Sequence, residues 1–208
     1  MIEYLNTAVI LIIPILTAIV FHEVGHGYAA KLLGDSTAAN QGRLSLNPIA
    51  HIDPIGTIAV PALLYFTSGF LFGWAKPVPV NYNKLGSPRR DSALVAIAGP
   101  LVNFIFLFIW SILFAVSVKM QSATLYSMST FGIQINIILI ALNLLPIPPL
   151  DGSRVIASLL PPRFAYQYER FSFLGFILVI LLAVSGIFSQ YLSPLLNDGT
   201  LFFMRLFI

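Results

Sequence analysis

The 208-residue chain has no cysteine, and only 9% of its residues are charged. Without cysteine there can be no disulfide framework and no thiolate metal site, so any bound metal must be held by nitrogen and oxygen donors. With so little charge, 58% hydrophobic residues and a mean hydropathy of +0.89, a soluble globular domain is excluded. The composition predicts an all-α polytopic membrane protein. There is no internal repeat, no low-complexity tail and no linker long enough to separate domains, so residues 1–208 are expected to form a single membrane-embedded domain. The formal charge is +3, but the Lys and Arg residues are scattered among loops, with no stripe of interleaved aromatics. No nucleic-acid partner is expected. A cleaved secretory leader is not expected either, since the N-terminus carries Glu3 in place of a basic start.

Apolar runs fall at about 5–33, 55–73, 93–118, 131–150 and 171–192, with a short apolar stretch from Leu201 to Ile208. Four of them are long enough to cross a bilayer. The run 55–73 is interrupted by Gly56, Pro61 and Gly69 and is followed by Pro77 and Pro79, which predicts a re-entrant loop or hairpin after the first span. The expected architecture is therefore a bundle of about four to five transmembrane helices, with a core at about 7–160 and a C-terminal span at about 171–192. If 55–73 re-enters, the ends of the first and fourth runs lie on one side. That side then collects most of the basic residues and leaves only Lys119 and Arg205 opposite, which marks it as cytoplasmic.

The end of the first run carries His22-Glu23-Val24-Gly25-His26. Residues four apart share a helical face, so His22 and His26 can offer two imidazoles to one cation, with Glu23 beside them as a base. This is the local geometry of a zinc hydrolase. Ionisable groups placed at membrane depth are functional by default, because hydrocarbon cannot satisfy them. Pro14 is expected to kink the first helix and Gly34 to cap it.

A catalytic zinc normally has a third protein ligand. Glu3 lies too far back along the helix, and Asp35, Asp91, Glu169 and Asp198 sit in turn-like or charged surroundings. Asp151 follows a proline-rich helix end, Asn143-Leu144-Leu145-Pro146-Ile147-Pro148-Pro149-Leu150, of the kind expected around a cavity. Spacing alone leaves two roles open for it, metal ligand or N-cap of a short helix, Gly152 to Leu160. His51 and Asp53 form a second constellation, read as gating or structural support with direct ligation as the alternative.

His22-Glu23-Val24-Gly25-His26, taken with Asn143 through Gly152, resembles the paired HExxH and NxxPxxxLDG signatures of the site-two proteases, a family of intramembrane zinc metalloproteases. Leu46 to Pro54, Ala98 to Asn103 and Gly73 to Val80 are similar to further segments of that family. The resemblance covers about residues 20–160, without the PDZ or CBS domains of some relatives. It implies one zinc ion held by His22, His26 and Asp151, with Glu23 as general base, and cleavage of a peptide bond in or near a transmembrane segment of a membrane-protein substrate. It gives Asn143 a role in orienting substrate or stabilising the oxyanion. Asn103 and Asn136 suit either site support or an interhelical hydrogen bond.

Two other classes of function compete. One is a membrane metal-binding or transport protein, which predicts ligands spread along a crossing pathway. The other is a proteolytically silent relative, against which Glu23 speaks. Serine and aspartyl intramembrane chemistry is disfavoured, since neither GxSxG nor an intramembrane GxGD pair is present. Oligomerisation has no signature of its own.

Overall fold

The computed structural model describes residues 2–68 and 73–208. Among these every regular element is helical. The long first helix, α1 (Ile2–Leu32), takes Pro14 into its interior. It ends as predicted at Gly34, whose φ of +109° is a conformation that a side chain would strain. Asp35 closes the turn, its N–H donating to the Ala30 carbonyl.

A single short turn, α2 (Thr37–Asn40), precedes a π-helical turn, Pro54–Ala59, that runs into α3 (Val60–Ser68). The end of the interrupted run, residues 69–72, lies outside the described residues. The chain emerging from it returns to its starting point. Trp74 N–H donates to the Gly56 carbonyl at 3.0 Å, and Lys76 N–H donates to the His51 carbonyl at 2.9 Å.

The second long helix is α4 (Pro88–Met120), closed by Gln121 in the left-handed region. Then come α5 (Ala123–Asn143), capped by the Ser122 hydroxyl, and α6 (Asp151–Leu159). The C-terminal region comprises α7 (Pro162–Glu169), α8 (Ser172–Val184) and α9 (Ile187–Arg205). Helices α1, α4 and α5 pack against one another, and α6 lies on α4. Leu107, Trp110, Phe114, Ile133 and Ile137 form the core between α4 and α5, with Leu196, Phe203 and Met204 of α9 laid over it.

Among the described residues, three helices are long and apolar enough to cross a membrane, or four if the bent pair α7–α8 counts as one span. Their outer faces carry exposed Leu11, Ile12, Phe104, Ile105 and Ile109. Apolar surface of that extent belongs in lipid. The all-α polytopic architecture is thus as expected, and the chain is an integral membrane protein.

One expectation needs correcting. The run 171–192 is not a single span. Gly186 adopts φ +76° and turns the chain, so that α8 ends after 13 residues and a separate α9 begins. The apolar stretch from Leu201 is absorbed into α9, which folds back on α4 and α5. Hydropathy is continuous across Gly186; the break is conformational.

Candidate metal centre and active site

His22 and His26 project from α1 toward α4, where the backbone comes so close that a Cβ on Gly99 would stand 2.5 Å from His26 Nε2. Both imidazoles are buried and oriented from behind. His26 Nδ1 lies 2.7 Å from the Val95 carbonyl oxygen. A carbonyl can only accept, so Nδ1 carries the proton and Nε2 presents its lone pair.

His22 Nδ1 lies 2.5 Å from Asn103 Oδ1. The amide nitrogen of Asn103 donates to the Ala18 carbonyl at 3.1 Å and to Asn136 Oδ1 at 2.8 Å, and Asn136 in turn donates to the Gly132 carbonyl. This relay sets the Asn103 amide with its oxygen toward His22, so His22 also has its proton on Nδ1 and a lone pair on Nε2.

The two Nε2 atoms face each other at 3.0 Å. Asp151 Oδ2 is buried without a hydrogen-bond donor and sits 3.2 Å from His22 Nε2 and 3.4 Å from His26 Nε2. Three electron-pair donors converging in a buried place repel one another unless a proton or a metal cation lies between them. Two imidazoles and a carboxylate suit zinc in both number and type. The three donor atoms lie within 4.8 Å of one another, which one ion can bridge.

The capping alternative for Asp151 loses its basis here. The N-cap of α6 is Leu150, no side chain caps that end, and Asp151 is the first helical residue.

Glu23 stands beside the cluster in the same cavity of about 700 Å³. Its Oε2 accepts from Val78 N–H at 2.8 Å. Val78 lies in the extended segment between Pro77 and Pro79, which have no N–H of their own, so it is the sole backbone donor of that triplet. Asn143 also lines the cavity, and its amide donates back to the Leu139 carbonyl at 3.0 Å.

His51 and Asp53 are not brought to this centre. His51 Nε2 is bonded to the Ser45 carbonyl, and Asp53 Oδ1 caps the π-helical turn by accepting from Ile55 and Gly56 N–H. The two ends of the segment that leaves at His51 and returns at Lys76 are tied by backbone bonds from Lys76 to His51 and from Trp74 to Gly56, and by the Thr57 hydroxyl donating to the Trp74 carbonyl. The Val78 contact, the Val95 acceptor and the close approach at Gly99 had no signal in sequence beyond the motifs flanking them.

YwhC of Bacillus subtilis strain 168, named by inference as a zinc metalloprotease, is 40% identical over 204 residues, which is 95% of this chain and 90% of the relative. The sequence model described as Peptidase family M50 matches residues 113–184, from the end of α4 through α8. The chain belongs to peptidase family M50, the site-two protease family. Rip2 of Mycobacterium tuberculosis strain H37Rv, named in the same way, is 30% identical to this peptidase, covering 86% of the chain and 69% of the relative. MJ0611 of Methanocaldococcus jannaschii is 28% identical, with 74% of each covered. No solved structure matches the peptidase.

Proposed function

We propose that this M50 peptidase is an intramembrane zinc metalloprotease that hydrolyses peptide bonds in or near transmembrane segments of membrane-protein substrates. The observation that carries this reading is the convergence of His22 Nε2 and His26 Nε2, on a helix of membrane length, with Asp151 Oδ2 at the start of α6. The zinc-metalloprotease names of its relatives agree with it.

His22, His26 and Asp151 would hold one zinc ion. Bound there, zinc supplies a Lewis acid that polarises the scissile carbonyl and acidifies water. The remaining chemistry falls to side chains. Glu23, anchored through Oε2 by Val78 N–H, keeps Oε1 for the reaction, takes a proton from the attacking water and returns it to the leaving amine. Asn143 faces the same space and orients the substrate or steadies the developing oxyanion. The extended segment 73–80 forms one wall and holds Glu23 in place.

The hydrogen bonds that tie Trp74 and Lys76 back to Gly56 and His51 support a re-entrant excursion for the run 55–73. With that topology the basic loops gather on the side of the metal cluster, which puts the active site nearer the cytoplasmic face. The bilayer and a transmembrane substrate are then its partners, and residues 1–208 act as one membrane domain.

The test uses the purified protein in detergent micelles, with zinc measured by mass spectrometry and cleavage of a transmembrane peptide followed by electrophoresis. Glu23→Gln should retain zinc and lose cleavage. Full proteolysis by Glu23→Gln, or a wild-type protein that holds no zinc, would sink the assignment.

A further inference from the structure

Three residues beyond Asp151, Arg154 brings a positive charge into the cavity that the hydrolytic scheme leaves unused. Positions i and i+3 share a helical face, so Arg154 lies one turn of α6 from Asp151. Its guanidinium carbon stands 4.5 Å from the ring centroid of Tyr82, which lines the same cavity. Stacking occupies the flat face of a guanidinium and leaves its in-plane N–H donors directed outward.

Three other arginines of the chain spend those donors on the protein, while Arg170 lies over a ring, that of Tyr166, outside the cavity. Arg43 donates to the Lys76 and Pro77 carbonyls, Arg89 donates to the Ser158 and Leu160 carbonyls, and Arg90 pairs with Asp91. Among the described residues, no carboxylate lies within ion-pair distance of Arg154 and no acceptor takes a hydrogen bond from it. The cavity around it is walled by Val80, Leu142, Phe176 and Val179. Apolar walls weaken the screening of a charge and strengthen its attraction for an anion.

We propose that Arg154, stacked on Tyr82, is a carboxylate-binding subsite that receives an acidic group of the substrate close to the cleaved bond. The proposal rests on hydrolysis at the His22, His26 and Asp151 cluster. A guanidinium fork binds a carboxylate through two parallel hydrogen bonds, whether the group is an Asp or Glu side chain or a free chain terminus. One helical turn between Arg154 and Asp151 places the acidic group within a residue or two of the bond being cut.

The experiment measures binding to the full chain carrying Glu23→Gln, in neutral detergent micelles, by fluorescence anisotropy. The probes are labelled apolar peptides of about 25 residues, long enough to span a bilayer. They carry Glu or Gln at successive positions and end as free acid or amide. One Glu position, or the free acid, should bind about tenfold more tightly than its neutral counterpart, as expected for a charge-assisted hydrogen bond. Adding Arg154→Gln should erase that difference and Arg154→Glu should invert it in favour of the neutral counterpart, while Tyr82→Leu should weaken it. A preference for the free acid alone assigns the subsite to a C-terminal carboxylate, and one for internal Glu alone assigns it to a side chain.

An undiminished preference in the Arg154→Gln protein, or none at any position in the parent, overturns the proposal. So does displacement of the preference by phosphatidylglycerol together with loss of lipid binding in Arg154→Gln, which would make the subsite a lipid site. Binding needs no turnover. Failure of the Glu23 protein to cleave any of these peptides would instead count against the hydrolytic reading, independently of their affinities.

Discussion

Asn103 Oδ1 stands 2.5 Å from His22 Nδ1, and the amide cannot turn over because its nitrogen is committed to Ala18 and Asn136. Three helices, α1, α4 and α5, thereby determine which nitrogen of one imidazole faces the metal cluster. Such outer partners of metal-binding histidines typically contribute about 10- to 100-fold in affinity. Asn103→Leu should weaken zinc binding by about that factor while helical content is kept. Competition titration against a zinc indicator measures it, and a wild-type affinity would show that the amide has no orienting role.

Gly99 is where α4 makes room for the imidazole pair. A methyl group there would lie 2.5 Å from His26 Nε2 and 2.6 Å from His22 Cε1. Gly99→Ala should displace the rings, cost about 1–3 kcal/mol of stability from overpacking, and abolish zinc retention. Gly42→Ala is the comparison. That residue has φ +66° and open space around it, so the variant should lose a little stability and keep its zinc. Equal zinc content in both variants would refute the packing argument.

Removing the metal should destabilise the whole bundle, because the cluster ties α1 to the start of α6. A ligand that binds only the folded state at 100 times its dissociation constant adds about 2.7 kcal/mol. Chelation should lower the midpoint of thermal unfolding in micelles, and zinc should restore it. In Asp151→Asn, which lacks the anionic oxygen, the gap between metal-loaded and chelated protein should shrink. A midpoint insensitive to chelator in the wild type would rule out a structural contribution from the cluster.

Asp35 gives the stability a defined pH dependence. It is fully buried in the loop after α1. Burial by itself pushes its carboxyl up, but hydrogen bonds from the Thr37 hydroxyl and from Asn81 and Thr37 N–H outweigh this and hold it below the ordinary 3.8. Its folded value is thus depressed relative to the unfolded chain, so its contribution is complete above the unfolded value and is lost as pH falls through the folded one. Thermal unfolding of wild type and Asp35→Asn between about pH 6 and pH 2.5 tests this. The wild type should be the more stable at the upper end, by about 1–3 kcal/mol, and the difference should close on acidification. A constant difference across the range would exclude the ionised carboxylate as its source.

Local patterns carried much of the architecture. Hydropathy located α1, α4 and α5, because crossing a bilayer requires some twenty apolar residues in a row whatever they pack against. The four-residue spacing of His22 and His26 placed both on one face, since helical periodicity is a property of the backbone alone. A left-handed glycine ended α1 where Gly34 suggested. Gly186 carried no such warning: the apolar run continues through it on both sides, and only its φ reveals that α8 and α9 are separate.

Chain order and helical spacing brought His22, His26 and Asp151 forward as candidates, but left Asp151 divided between ligand and cap. The fold seats Asp151 Oδ2 against both Nε2 atoms and leaves the start of α6 without a side-chain cap, which removes the cap reading and supports the proposed ligand role. The Asn103 relay to His22, Ala18 and Asn136, the Val78 anchor on Glu23 and the unpaired Arg154 over Tyr82 likewise join residues between 33 and 85 positions apart. Spans, face and motif follow from short-range hydropathy and helical geometry. Tautomer, proton acceptor and cavity charge depend on which distant backbone and side-chain groups tertiary packing brings within hydrogen-bond reach.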